Sequence, residues 1–466
     1  MADGDTRDDS KLPPLEALPG PRVYPVVAAM PAVMHRDGVM TGFAEVGERF
    51  RRAGMYRMVF PGDRVATFVV NADLATAVCD EATWEKVLDG PLPRIRAFGG
   101  DGLFTAYNHE DNWHRAHRIL TPGFSAPSMD RYFPAMREVA DQLVAHWRRA
   151  RGPVDVVGDM TRLTLDTISL CGFDHRFRSF DRPALDPFLL CLGRALQETV
   201  DGLRRPPFVL PYEAWKRRRF DADVAAMFAV VDRFVAERRR LPRDRWPKDF
   251  LSLMLAEADP KTGERLSDDN IRYQILTFLI AGHETTAGLL AFTLHQVARD
   301  PALGRRLRDE VSRVVGDGEL TLEHVRALDL ASRTLRESLR LWPTVPALAR
   351  APKHATALGG YRVRAGQPVT LIFGSIHRDP AVWPEPERFD PDRFLLDVSK
   401  GRIAGAYKPF GVGKRACTGR HFALVEATLC LALVLRAFDL EEPAALRIAP
   451  TATLKPRDFW LTLRPR

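Results

Sequence analysis

The segment Phe410-Gly-Val-Gly-Lys-Arg-Ala-Cys-Thr-Gly419 gathers a cysteine, glycines, cations and an aromatic ring into one turn-forming stretch. That mixture suits thiolate ligation of a haem iron. Such a ligand needs a cysteine in a loop that wraps the metal, with glycines where the backbone turns sharply. Gly411 and Gly413 meet that need. Gly419 lets the following helix begin close against a porphyrin, and the positive end of that helix favours thiolate over thiol at Cys417. Arg415 is placed to pair with a haem propionate, and Phe410 to shield the sulfur from water. A free cysteine is otherwise most often a small buried hydrophobe. From average composition, six such positions in this order arise on the order of 10⁻⁵ times per chain of this length.

A second cluster, Ala281-Gly-His-Glu-Thr-Thr286, interrupts an apolar helical run over residues 278–294. Polar groups there are costly unless they are paired or functional. His283-Glu284 opens like the zinc motif HExxH, but the fifth residue is Ala287, so the second ligand is missing. A threonine at this place can also simply bond its own helix carbonyl. Glu110, His114 and His117 resemble a metal set, yet three ligands on one helix face cannot surround an ion. Trp113 and His117 share a helix face, as do Glu337 and Arg340, a charge pair worth about a few tenths of a kcal/mol by itself.

These residues need a scaffold. The chain has 466 residues, 45% hydrophobic and 27% charged, an ordinary globular composition. Helical periodicity marks residues 130–151, 187–203 and 222–240, while strand-like runs are short, at 65–70 and 369–373. Residues 384–394 read as a meander. The fold class expected is mainly α with small β-sheets, one domain over 1–466, with residues 1–20 flexible and the proline-rich opening extended. The net charge of +8 is mild. The basic runs 216–219 and 238–240 read as solvated helix faces, or as a landing surface for an acidic electron donor, and nucleic-acid binding is not expected. The five cysteines, Cys79, Cys171, Cys191, Cys417 and Cys430, form no CxxC pair, which argues against a disulfide framework or zinc ribbon. The start is polar, and the apolar runs 278–294 and 423–438 carry charges, so a cytoplasmic protein without a membrane anchor is expected.

The cysteine loop resembles the haem-binding signature of the cytochrome P450 family, and the other motifs extend the likeness along most of the chain. The resemblance implies the P450 fold, haem b with Cys417 as the iron ligand, and a distal helix at 281–286. There Ala281 and Gly282 leave room for dioxygen, and the acid–alcohol pair Glu284 and Thr285 delivers protons. It also implies that Trp113 and His117 hold a propionate. Arg388, in Pro386-Glu-Arg-Phe389, is implied as the third member of a structural triad with Glu337 and Arg340. His109-Glu-Asp-Asn-Trp113, Met160-Thr-Arg-Leu-Thr-Leu-Asp166, Leu170-Cys-Gly-Phe173 and Ile271-Arg-Tyr-Gln-Ile275 are similar to the haem domain of self-sufficient bacterial fatty-acid hydroxylases. The likeness runs from about residue 60 to Pro456 and is weaker over 182–249. In that group a diflavin reductase is fused to the haem domain, and this chain does not include one.

On the substrate side the resemblance implies Phe104 over the haem and Arg64 at the channel mouth, attracting a carboxylate. A tyrosine usually assists, but Phe68 stands there, which removes a hydrogen bond worth about 1 kcal/mol or more. The expected function is hydroxylation of medium- or long-chain fatty acids near the chain end. O₂ is the oxidant, and electrons come from NAD(P)H through a separate flavin or iron–sulfur reductase, or through a lost fused one. The alternatives are oxidation of another hydrophobic small molecule, an H₂O₂-driven peroxygenase, or a non-catalytic haem gas sensor.

Overall fold

In the computed structural model, which describes residues 12–20, 35–60, 64–202, 210–449, 451 and 453–466, helices dominate. The elements that position the candidate residues are, in chain order, α1 (Val39–Arg49), β1 (Met55–Phe60), β2 (Arg64–Val69), α2 (Ala72–Val78), β3 (Trp84–Lys86), α3 (Asp111–Leu120), α4 (Met129–Arg148), α5 (Val156–Phe173), α6 (Pro187–Asp201), α7 (Leu210–Arg240), α8 (Asp268–Arg299), β4 (Ala347–Pro352), β5 (Val369–Ile372) and α9 (Arg420–Ala437). They fall into two compact units. Met1–Asp89 with Leu339–Cys417 forms the first, and Gly90–Ser338 with Thr418–Arg466 the second.

The first unit is built on a sheet of order β1-β2-β5-β4-β3, in which only β2 and β5 run parallel. Side chains alternate across a strand, and here both faces are apolar. Met55, Val69 and Leu371 enter one core cluster, while their neighbours Tyr56, Phe68 and Ile372 enter the other, with Phe43 of α1. Leu15 and Leu18 join the first cluster and are 0% and 1% exposed. The expectation of a flexible opening is therefore corrected over residues 12–20, because those leucines remove apolar surface from water. Residues 1–11 lie outside the described ones.

The second unit is helical, edged by two short strand pairs, Val154–Asp155 with Trp460–Leu461 and Phe438–Leu440 with Leu463–Pro465. Along α4 the residues Tyr132, Met136, Val139, Leu143 and Trp147 recur three or four apart and are buried. The Trp147 indole donates to Asp159 on α5 at 2.8 Å. Ser267 caps α8 by accepting from the Asn270 amide, and Asp268 and Asp269 suit the positive end of its dipole. Among the described residues α8 is long and apolar enough to cross a membrane, and 78% of its apolar window is buried within the protein. Arg238 corrects the reading of its run as a solvated face. It is 3% exposed and grips Asp249 through two bonds of 2.7 and 2.6 Å.

Buried in α9 is Glu426. Burial outweighs the Thr167 hydroxyl and pushes its carboxyl up to about 8, from an ordinary 4.5. The folded state thus holds a proton that the unfolded chain releases. Stability from this group is complete below pH 4.5 and is lost as pH rises toward 8. Glu426→Gln, neutral throughout, should flatten the Tm–pH curve across that window and raise Tm at its alkaline end, as followed by thermal unfolding. Parallel curves for the two proteins would show that the side chain ionises without a folding penalty.

Candidate active site

In the first unit the loop before Cys417 closes on itself. The Cys417 amide donates to the Phe410 carbonyl at 2.8 Å, Ala416 to Gly413 at 3.0 Å, and Gly411 to Lys408 at 3.0 Å. Gly411 and Gly413 have φ of 72° and 60°, a region in which L side chains are strained. At Gly413 an added Cβ would also push aside the Glu81 carboxylate. That carboxylate accepts from the Lys414 amide at 2.7 Å and so braces the turn from outside the loop.

The donor chemistry fits haem. Cys417 is the exposed cysteine, whereas burial pushes up the thiols of Cys79, Cys171, Cys191 and Cys430, making them poor thiolates. Arg415 precedes Cys417 by two residues. Burial and the Arg415 guanidinium together lower the Lys86 ammonium to about 7. Cationic charge of this kind is what anionic propionates would require. Lys86 escaped the sequence reading. It arrives on β3, far along the chain from Cys417, and no local pattern marks it.

Arg340 is 0% exposed and donates to the carbonyls of His377 at 3.1 Å, Pro386 at 2.6 Å and Arg388 at 3.0 Å. The Arg388 assignment needs correction. Its guanidinium is 62% exposed and pairs with Glu385 at 3.1 Å, so only its backbone supports Arg340. The segment repeats its pattern as Pro391-Asp-Arg-Phe394, and there Arg393 is half-buried and donates to the Glu385 carbonyl at 2.9 Å. Phe68 is 3% exposed, with its ring centroid 4.7 Å from Phe43 and 5.1 Å from Tyr56. It is a core residue of this unit. Arg64 opens β2, paired in register with Phe60.

In the second unit, α8 carries Ala281, Gly282, Glu284 and Thr285. Ala281 is exposed, and Gly282, Glu284 and Thr285 are half-buried, on a helix otherwise closed on both sides of them. The Thr285 hydroxyl donates to the Ala281 carbonyl at 2.8 Å, which leaves its oxygen able to accept. The absent Cβ of Gly282 would lie 2.8 Å from Ile168 of α5, so the glycine permits a close helix crossing. The Thr164 hydroxyl crosses the same contact to the His283 carbonyl at 2.8 Å. The Glu284 carboxylate meets the Lys455 ammonium at 3.0 Å. Burial raises this carboxyl, but the Lys455 charge more than offsets that and holds it below the ordinary range.

Phe104 is half-buried in a turn tied to α8, since the Leu103 amide donates to Gln274 at 3.0 Å and Asn270 donates to Asp101 at 2.8 Å. On α3, Trp113 is 6% exposed and its ring centroid lies 4.8 Å from that of His117, a shared face as the spacing predicts. Glu110 is engaged by Arg96 at 2.7 and 2.9 Å rather than by a histidine. Glu337 is 0% exposed, in the second unit. Gly419 immediately precedes α9, as the loop reading requires.

A family model described as cytochrome P450 matches residues 18–459. The bifunctional cytochrome P450/NADPH–P450 reductase 2 of Bacillus subtilis is 42% identical over 456 residues, covering 97% of this chain and 43% of that protein. The corresponding bifunctional protein of Fusarium oxysporum is 41% identical over 432 residues, covering 89% and 40%. The crystal structure of the cytochrome P450DA heme domain superposes with a TM-score of 0.92 at 43% identity and covers 98% of each chain. The chain thus spans about two-fifths of the length of these curated relatives.

The α5–α8 crossing gives a direct test. Gly282→Ala should destabilise the protein by about 1–3 kcal/mol in denaturant unfolding, because the methyl overpacks against Ile168. Adding Ile168→Ala should recover part of the loss. A neutral Gly282→Ala would mean that the helices yield at this point.

Proposed function

Because the chain belongs to the cytochrome P450 family, we propose that it is a monooxygenase placing one atom of O₂ into an apolar, lipid-like substrate, with hydroxylation of medium- and long-chain fatty acids near the chain end as the first choice. The observation that carries this reading is the Cys417 loop, a closed turn that presents the exposed thiol two residues after Arg415. Haem b held there supplies the redox chemistry of oxygen activation, with electrons that originate in NAD(P)H.

The chain's own residues have these roles on that reading. Cys417 ligates the iron, and Arg415 and Lys86 neutralise propionate charge, as do Trp113 and His117 through hydrogen bonds. Phe410 limits water at the sulfur, while Glu81 keeps the turn in shape. Thr285 offers a hydroxyl beside the Ala281 carbonyl, and Glu284 relays protons to it. Having both an acid and an alcohol favours O₂ with reductive activation over H₂O₂, which brings its own protons. Arg64 attracts the substrate carboxylate and Phe104 limits how the chain end approaches. Arg340, Glu337 and the repeat holding Arg388 and Arg393 are structural.

The curated relatives are named as fusions with an NADPH–P450 reductase. Electrons for this chain come accordingly from a flavin reductase, either as further sequence of the same protein or as a separate one. The two units act as one haem-binding domain, in the cytoplasm.

The test is a titration of the ferric protein with lauric and palmitic acids and with their methyl esters, following the haem absorption band. A saturable high-spin shift with the acids, lost in Arg64→Ala, is the expected result, together with hydroxylated product when a competent reductase and NADPH are added. Consumption of NADPH without oxygenation of any lipid-like compound would remove the monooxygenase reading. Response to esters and acids alike would remove the carboxylate anchor alone.

A further inference from the structure

The acid at the centre of α8 has a partner that the proposed chemistry does not use. Glu284 meets Lys455 at 3.0 Å, their side chains being 15% and 25% exposed, so the lysine lies on the more solvent-accessible side of the pair. Lys455 sits on a well-tied C-terminal turn. Ile448 and Pro456 form an antiparallel bridge, the Ala449 amide donates to the Lys455 carbonyl at 2.9 Å, and the Thr451 hydroxyl donates to the Thr453 carbonyl at 2.7 Å. Its ammonium rides on a flexible stem.

The groups acting on Glu284 are Lys455, the neighbouring His283 and the Thr453 hydroxyl. His283 is buried with Nδ1 at the Leu279 carbonyl, 2.6 Å away, and burial lowers its pKa. Of the two charges, Lys455 acts on this carboxyl more strongly than His283. Without it, a desolvated carboxylate would take up a proton instead.

We infer that Lys455 is a positioning residue for the relay: it clasps the Glu284 carboxylate in its ionised form, and opening of this ion pair sets the pH range over which Glu284 can pass protons inward. The inference rests on the reading of Glu284 as the relay acid. The cycle balances simply. With the pair open, the carboxylate takes a proton from hydronium in the solvent, passes it to the Thr285 hydroxyl as that hydroxyl gives its own proton onward, and returns to Lys455 ionised. No electron moves in this step.

The experiment uses the haem-loaded protein and the variants Lys455→Met, Lys455→Arg and Glu284→Gln. Infrared difference titration reads the Glu284 carboxyl itself, assigned by its loss in Glu284→Gln. The midpoint should rise by about one pH unit or more in Lys455→Met, a tenfold or greater change in proton affinity, and stay near the parent value in Lys455→Arg. The fraction of NADPH electrons recovered in product should shift along the pH axis in parallel. An unmoved midpoint in Lys455→Met overturns the inference, and so does a midpoint that moves in Lys455→Arg as far as in Lys455→Met. If the midpoint moves as expected but Glu284→Gln leaves product recovery unchanged, the ion pair stands while the relay reading of Glu284 fails, and the inferred role fails with it.

Discussion

The hydrogen bond from the Cys417 amide to the Phe410 carbonyl closes the loop on which the proposed chemistry depends. A thiolate ligand must be held at one point without being buried in side chains, and a short closed turn does this with backbone alone. The cost is conformational. The chain must pass through positive φ at Gly411 and again at Gly413, and the second of these must do so against the Glu81 carboxylate. Glycine is thus favoured at position 413 by its positive φ, and a side chain there would also displace the Glu81 carboxylate. α9 begins at Arg420, just beyond the ligand, with its amide-rich end unfilled by any side-chain cap.

The same molecule solves the desolvation of charge in several distinct ways. Arg238 and Asp249 neutralise each other in a paired fork, a structural solution whose loss on one side would strand a charge. Glu426 avoids the problem by keeping its proton. Glu284 stays ionised through Lys455. Lys86 is a different case, since burial and the like charge of Arg415 together lower its ammonium to about 7.

What was legible in the sequence was whatever lay close together along the chain. The cysteine loop, the polar break in α8 and the Trp113–His117 face are local patterns, and turn chemistry or helical period exposes each of them. Lys86, Glu81, Thr164 and Lys455 reach their partners from far along the chain, and each is an ordinary residue in its own surroundings. Burial is a signal of another kind, which no spacing reveals: it distinguishes Arg393, in the second of two similar Pro-acid-Arg-Phe repeats, from the exposed Arg388 in the first, and it sets Ile168 of the neighbouring helix against Gly282.

The core position of Phe68 bears on how a fatty acid would be recognised. Phe68, packed against Phe43 and Tyr56, offers no hydrogen bond to a carboxylate, a contact of about 1 kcal/mol or more. Each methylene moved from water into an apolar channel contributes about 0.8 kcal/mol. One or two carbons of chain therefore offset the missing head-group contact. On the fatty-acid reading, discrimination in this protein rests on the length of the apolar chain more than on the carboxylate. On that same reading, an arginine at the mouth acts chiefly by long-range attraction, which salt weakens, while the apolar contribution persists, and the balance of the two forces sets which lipids are favoured.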